Sequence, residues 1–171
     1  MSTWLAPRAN GKDALIGAVG AALGMALTWL ICDWVLDGAA PLLVMSMGAS
    51  AVLLFATPTS PLAQPLPMIS SHALGAFVGV ASARLIHNTP LAVGVAVGVT
   101  AGVIVRFGIT HPASGGTALS AVIGGDAITN LGWEFIWHPV LLNVVLLVAL
   151  AVVVNAPFAW RRYPLQLRSS S

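Results

Sequence analysis

Charge is what this sequence lacks most. Lys, Arg, Asp and Glu together make up 7% of the 171 residues, against about 25% in an ordinary soluble domain. A chain so poor in charge cannot present a water-facing shell, and 58% of it is hydrophobic, which defines an integral membrane protein. Cysteine is nearly absent too: Cys32 stands alone, which excludes an intrachain disulfide and any cysteine-based zinc motif. The net charge of +2 is too small for a nucleic-acid surface. The basic residues instead gather at the two ends, as Arg8 and Lys12, then Arg161, Arg162 and Arg168. Lys and Arg favour the cytoplasmic side of a membrane, so both termini are expected there, at an inner cell membrane.

What is present is long apolar sequence. Six segments stand out: Asp13 to Val35, Pro41 to Ala56, Met68 to Ile86, Pro90 to Phe107, Ser114 to Ile128, and Pro139 to Ala156. Ala14 to Ile31 exceeds the usual apolar core of a secretory signal and no convincing cleavage site follows, so it reads as the first membrane helix. The chain divides into a cytoplasmic segment (1–12), one transmembrane domain (13–158, with halves 13–87 and 88–158) and a basic cytoplasmic tail (159–171). No appended soluble domain is expected.

The second and fifth segments are short. About 15 residues rise only about 23 Å as an α-helix, less than an average hydrocarbon core. They also resemble each other, Gly48-Ala49-Ser50-Ala51-Val52 against Gly115-Gly116-Thr117-Ala118-Leu119. The expected fold is therefore all-α, two long-short-long halves with short or broken second and fifth segments. If those segments cross, each half makes three passes and the halves are inverted; if they re-enter, each makes two and both run the same way. Charge leaves both arrangements open. Asp33, Asp37, Asp126 and Glu134 stay on the far side in either, and only Arg84 and Arg106 exchange places. Paired interrupted helices at matching positions favour inverted repeats.

Small residues recur every four positions in the long segments: Gly20 with Gly24, Gly75 with Gly79 and Ala83, and Gly94, Gly98 and Gly102. In lipid such stripes let helix backbones approach closely. Leu141 to Val154 has large aliphatics and no glycine, as expected of a lipid-facing or peripheral helix.

Chemistry concentrates in the two short segments. Pro112 discourages helix at His111, and Ser114 is placed to cap a helix starting at Gly115. The first amides of that helix would then lack internal partners, and a helix N-terminus carries about half a positive charge, which suits a small anion. Gly48, Ala49 and Ser50 offer a second such end, against Gly115, Gly116 and Thr117. The competing reading is that the hydroxyls bond back to their own helices and the glycines only admit a neighbour. His72 is within reach of His111 if the halves pack together, either as a neutral partner of a hydroxyl or as a titrating group. His87 and His138 read as interface residues. Gln64, in the uncharged Pro-rich loop Thr57 to Pro65, either contacts substrate or ties the loop. Arg84 and Arg106 either snorkel to the headgroups or draw an anion toward a pathway. No histidine pair has the close helical spacing of a metal site, so no metal is assigned, and no cofactor is expected.

The two stretches "GASAVLLFATPTSPLAQP" (Gly48 to Pro65) and "HPASGGTALSAVIGG" (His111 to Gly125) resemble the paired hallmarks of the HPP family of small integral membrane proteins. That family is named for a His-Pro-Pro signature; here the third position is Ala113. The resemblance implies transport of nitrite, an activity associated with plant and cyanobacterial members. The resulting expectation is a transporter or channel for a small inorganic anion, working as a homo-oligomer, most simply a dimer, and not an enzyme. Two other classes compete. One is a non-transporting membrane scaffold or sensor. The other is a serine hydrolase using Ser114 or Ser50 with a histidine, for which no orienting carboxylate is evident.

Overall fold

The computed structural model describes residues 10–36 and 44–165. Arg8, Asp37, Pro41 and Arg168, on which parts of the sequence reading rest, lie outside the described residues. Within them the chain is helical: α1 (Gly11–Val35), α2 (Ser46–Ala56), α3 (Pro65–Leu85), α4 (Thr89–Arg106), α5 (Ser114–Ile123), the single turn α6 (Asp126–Thr129) and α7 (Leu142–Asn155). A 3-10 turn, Pro61–Ala63, precedes α3, and a π-helical turn, Ile136–Leu141, leads into α7.

Local sequence explains where these helices start and stop. The Asn10 side chain accepts from the Asp13 amide at 2.8 Å and Asn88 from that of Leu91 at 3.0 Å, so α1 and α4 begin at side-chain caps. Pro65 and Pro90 sit in the first turns of α3 and α4, where a missing N–H costs nothing. Gly125 adopts φ +83°, a conformation glycine takes without strain, and breaks the chain between α5 and α6. Pro139 lies inside the π-helical turn, where His138 leaves helical geometry at φ −125°, ψ 111° and kinks the entry to α7.

Four helices are long and apolar enough to span a bilayer: α1, α3, α4 and the continuous stretch Ile136–Asn155. α2 and α5 are shorter, at 11 and 10 residues. The order long-short-long therefore occurs twice, as the sequence predicts.

Contacts fix the chain's direction. At one end, Arg161 binds Asp13 at the start of α1, the Phe55 carbonyl at the end of α2, and Asn155 at the end of α7. At the other, the Cys32 thiol, late in α1, donates to Asn143 Oδ1, early in α7, at 2.9 Å. Thus α1 and α7 are antiparallel, and α2 ends where α1 begins. α5 runs beside α3 in the same direction, with Gly75 against Ser114 and Gly79 against Ala118. Arg84, at the end of α3, stacks over Trp133 with 5.8 Å from guanidinium carbon to ring centre, so it lies at the end opposite Asp13.

Glycine makes two of these interfaces. A Cβ on Gly17 would meet the Phe55 carbonyl oxygen at 2.9 Å, and on Gly20 and Gly24 the Phe55 ring at 2.7 and 2.6 Å, so α1 packs on α2 through one aromatic side chain. A Cβ on Gly75 or Gly79 would stand 2.5 Å from the carbonyl oxygen of Ser114 or Ala118, so α3 and α5 touch backbone to backbone. Gly94, Gly98 and Gly102 on α4 differ: nothing among the described residues lies within 4 Å of where their Cβ atoms would be.

The glycine-free stretch from the π-helical turn through α7 packs through aliphatic side chains instead. Val140, Val144, Leu147 and Ala151 are fully buried and join Phe55, Met47, Leu54, Met68 and Phe135 in the core. One face of the segment is therefore in the core, while Val145 and Val153 on the other are exposed. Its buried positions recur at helical spacing inside a uniformly aliphatic sequence, so the stripe leaves no trace in the composition.

Candidate functional site

Five polar side chains from four stretches of chain meet inside the bundle. Ser46 and Ser50 lie one helical turn apart on α2 and face the same way. His72 lies on α3, seven residues after Pro65, or about 10 Å along the helix axis. Thr117 lies on α5, and His111 stands in the non-helical segment just before it. The close approach of α3 and α5 through Gly75 and Gly79 brings the His72 and Thr117 side chains together.

The bonds form one unbroken line. Ser46 Oγ lies 2.7 Å from Thr117 Oγ1, which lies 2.6 Å from His72 Nδ1. His72 Nε2 is 2.9 Å from Ser50 Oγ, which is 2.8 Å from His111 Nε2. The line ends where His111 Nδ1 meets the Leu62 carbonyl at 2.7 Å. The imidazole centroids of His72 and His111 are 5.0 Å apart. Ser50, His72, His111 and Thr117 are wholly buried, and Ser46 is 8% exposed. Among the described residues the one ion pair is Arg161 with Asp13, so the line carries no fixed partner charge. Nor do three His, Cys, Asp or Glu side chains gather anywhere among them as a metal would need.

A carbonyl oxygen only accepts, so His111 must carry its proton on Nδ1, leaving Nε2 to accept from the Ser50 hydroxyl. Ser50 oxygen then accepts from His72 Nε2–H, His72 Nδ1 accepts from Thr117, and Thr117 accepts from Ser46. With both imidazoles neutral, the Leu62 carbonyl orients the entire line. An alternative donation from Ser50 to the Ser46 carbonyl is longer, at 3.3 Å.

The amides of the two glycine clusters behave otherwise than the sequence suggests. Gly48 N–H donates to Met45 O at 3.1 Å, Gly115 to Pro112 O at 3.2 Å, and Thr117 to Ala113 O at 3.2 Å. They are engaged by tight turns leading into each helix. Ser114 is not a cap either: Ala113 holds that position, and the Ser114 hydroxyl donates to His111 O at 2.8 Å. Ala49 is exposed and points away from the line, while Gly116 sits against Ser46. A void of about 280 Å³ beside Gly115 and Pro112 is lined mainly by aliphatic groups of α4.

The remaining candidates disperse. Gln64 is spent on its loop: Nε2 donates to Pro58 O and Ser60 O at 3.0 and 2.8 Å, and Oε1 accepts from Leu165 N–H at 2.9 Å. Its role here is to hold the carbonyl-bearing loop and the tail together. Tyr163 in that tail is buried, and burial pushes its phenol up from the ordinary tyrosine range. Arg84 lines a polar cavity of about 300 Å³ with His87, Thr89 and Thr129 at the end opposite Asp13. Arg106 is exposed near Phe107, 6.0 Å from its ring centre. His138 is exposed.

Sequence reasoning missed Ser46, although its spacing of four from Ser50 marked it. It also read Arg161 as an orientation charge. The side chain is 2% exposed and joins three helices, with its Nε donating to Asn155 Oδ1 at 2.8 Å.

A family described as HPP, transmembrane region, matches residues 6–164. Two proteins of Dictyostelium discoideum, each described as a transmembrane protein, are also similar. One is 37% identical over 134 residues, covering 76% of this chain and 47% of its own length. The other is 33% identical over 126 residues, covering 71% of this chain and 40% of its own. The chain thus spans less than half the length of these relatives. No solved structure matches.

Proposed function

Because this chain belongs to the HPP family of transmembrane proteins, and buries a charge-free line of hydroxyls and imidazoles within its bundle, we propose that it carries a small inorganic anion, nitrite-like, across the bilayer. The observation that supports this reading is the Ser50 hydroxyl held between His72 and His111, all three wholly buried. Polar groups inside a membrane protein are costly, and they persist chiefly where they serve a path. A scaffold would gain as much from aliphatic side chains at these five positions, at no risk of unmatched polar groups.

The ligands in this reading are side chains, not helix amides. A nitrite-sized anion offers only acceptors, and rotation of the Ser46, Ser50 and Thr117 hydroxyls turns donors toward it without moving the backbone. Imidazole N–H groups add to these, and together such fixed dipoles offset part of the anion's dehydration. Arg84, with no carboxylate bonded to it among the described residues, attracts the anion to the cavity at the opposite end. The helix directions support two inverted three-pass halves, and the basic residues near both ends favour the cytoplasmic side for them. The protein acts as a homo-oligomer, a dimer being simplest, and carries out no covalent chemistry. A hydrolase reading gains nothing from Ser50, which touches two histidines but, among the described residues, no orienting acid.

The test is uptake into liposomes containing the purified protein. Saturable nitrite entry above protein-free vesicles is expected. Absence of flux for nitrite, nitrate, formate and halides alike would remove the reading.

A further inference from the structure

We infer that the His72–Ser50–His111 line stores a single proton, loaded and unloaded from its Ser46 end, and that this proton accompanies the anion. The inference rests on the transport reading above for the anion, and on hydrogen-bond direction alone for the proton.

The two ends of the line are unlike. At one, the Leu62 carbonyl accepts from His111 Nδ1 and has no proton to give or pass on. At the other, Ser46 is a hydroxyl, able to receive a proton on oxygen while releasing its own, and is the one member with any exposure, 8%. A proton arriving at Ser46 Oγ displaces the Ser46 hydrogen to Thr117 Oγ1, whose hydrogen passes to His72 Nδ1. His72 is then an imidazolium with N–H on both nitrogens. Its Nε2 proton passes to Ser50 Oγ, whose former hydrogen passes to His111 Nε2, and the charge rests on His111. Every bond broken at oxygen is remade, one proton has been added, and each hydroxyl has reversed its direction. Beyond His111, among the described residues, stands the Leu62 carbonyl, which cannot take the charge onward.

Capacity follows from the bridge. Ser50 has one hydrogen, which it gives to one imidazole while accepting from the other. Two imidazolium rings would both present N–H to the same oxygen at close range, and no Asp, Glu or Cys joins the pair into a cluster of three among the described residues. The groups bonded to the rings are the hydroxyls of Ser50 on α2 and Thr117 on α5 and the Leu62 carbonyl, with Ser46 behind Thr117. A lone positive charge in so dry a place is costly, and an anion beside it offsets that cost. Proton and anion therefore enter together.

The resting directions are readable without any transport. In the full chain in lipid bilayers, labelled with 15N-histidine, His111 is expected to carry its proton on Nδ1 and His72 on Nε2 at neutral pH. Exchange of the exposed pair, His87→Gln and His138→Gln, assigns the remaining signals. On acidification one imidazolium equivalent is expected across the two rings. The same tautomer on both, or two equivalents, overturns the proposal. In vesicles with an internal pH dye and clamped potential, a nitrite gradient is expected to bring one proton in per anion. Nitrite entry without protons overturns the proposal while leaving the transport reading intact. If nothing moves, the transport reading falls and the tautomers alone decide the proton store. Thr117→Val keeps the shape of the side chain but cuts the entry to His72; it is expected to slow proton uptake about a hundredfold with His111 still protonated on Nδ1. Unchanged uptake would overturn the proposed route.

Discussion

His72 and His111 come from different halves of the chain, yet their rings lie 5.0 Å apart, tilted by 50°, and both direct Nε2 at one hydroxyl. Ser50 is therefore the group on which the two halves agree. Replacing it by alanine leaves two buried ring nitrogens without partners, at about 1–3 kcal/mol for each unmatched group. Ser50→Ala is expected to unfold at lower temperature in detergent. The same change removes a donor that a bound anion would use, so nitrite flux per folded protein should fall about tenfold or more. Full flux in a stable Ser50→Ala protein would show that the bridge is architectural.

Gly79 and Gly115 stand in very different surroundings. An added Cβ on Gly79 would stand 2.5 Å from the Ala118 oxygen and 2.8 Å from the Ala121 Cβ, whereas on Gly115 it would meet, among the described residues, only Val97, at 3.9 Å. Gly79→Ala should push α3 from α5 and loosen the bond from Thr117 to His72, at about 1–3 kcal/mol. Gly115→Ala should leave both stability and flux near the parent. Thermal scans of the two variants side by side check this, and equal behaviour would contradict the packing.

That contrast shows what the sequence carries and what it conceals. The long-short-long order was legible because apolar run length is a one-dimensional signal. His72, Ser50, His111 and Thr117 stood out in the sequence because polar side chains are rare in such a chain. The bonds around them were not legible, since whether an amide at Gly115 is free depends on the turn before it, and that turn closes on Pro112 O. Ser46 went unread between two methionines. Arg161 was read only as an orientation charge, because its partners Asp13 and Phe55 come from remote parts of the chain.

Arg161 separates geometry from charge. It holds the ends of α1, α2 and α7 through Nε and both terminal nitrogens at once, a forked pattern lysine cannot reproduce. Arg161→Lys keeps the orienting charge, so insertion should be unaltered while the protein loses stability, by about 3 kcal/mol at the upper end, given that Asp13 retains 28% exposure. Protease protection reports insertion, and thermal midpoint reports the clamp. A stable Arg161→Lys protein would reduce the residue to an orientation signal.

Arg84 and Arg106 decide the topology. With the short helices crossing, Arg84 lies on the face opposite the termini and Arg106 on the same face as they do. Single cysteines at these positions in a Cys32→Ala background should react with an impermeant maleimide from opposite faces, Arg84→Cys from outside the cell. The reverse pattern would mean that α2 and α5 re-enter.

The last expectation concerns α4, whose two faces contrast. Ala92, Ala96, Thr100 and Ile104 are buried against the bundle. Gly94, Gly98 and Gly102 lie two residues further on, about 200° around the helix, where an added Cβ meets nothing within 4 Å among the described residues. In lipid, a groove lined by glycine forgoes dispersion contacts unless another backbone fills it, and a symmetry-related copy of the same groove is well shaped to do so. The Gly75 and Gly79 pair shows this chain using the same spacing to bring two helices into contact. Gly98→Val should therefore leave the monomer fold intact, because no described neighbour crowds the position, yet shift the protein toward monomer. Light scattering in mild detergent, with disulfide crosslinking of Gly94→Cys in membranes, measures both halves of that statement. A Gly98→Val protein with parent mass and undiminished crosslinking would place the contact between copies elsewhere.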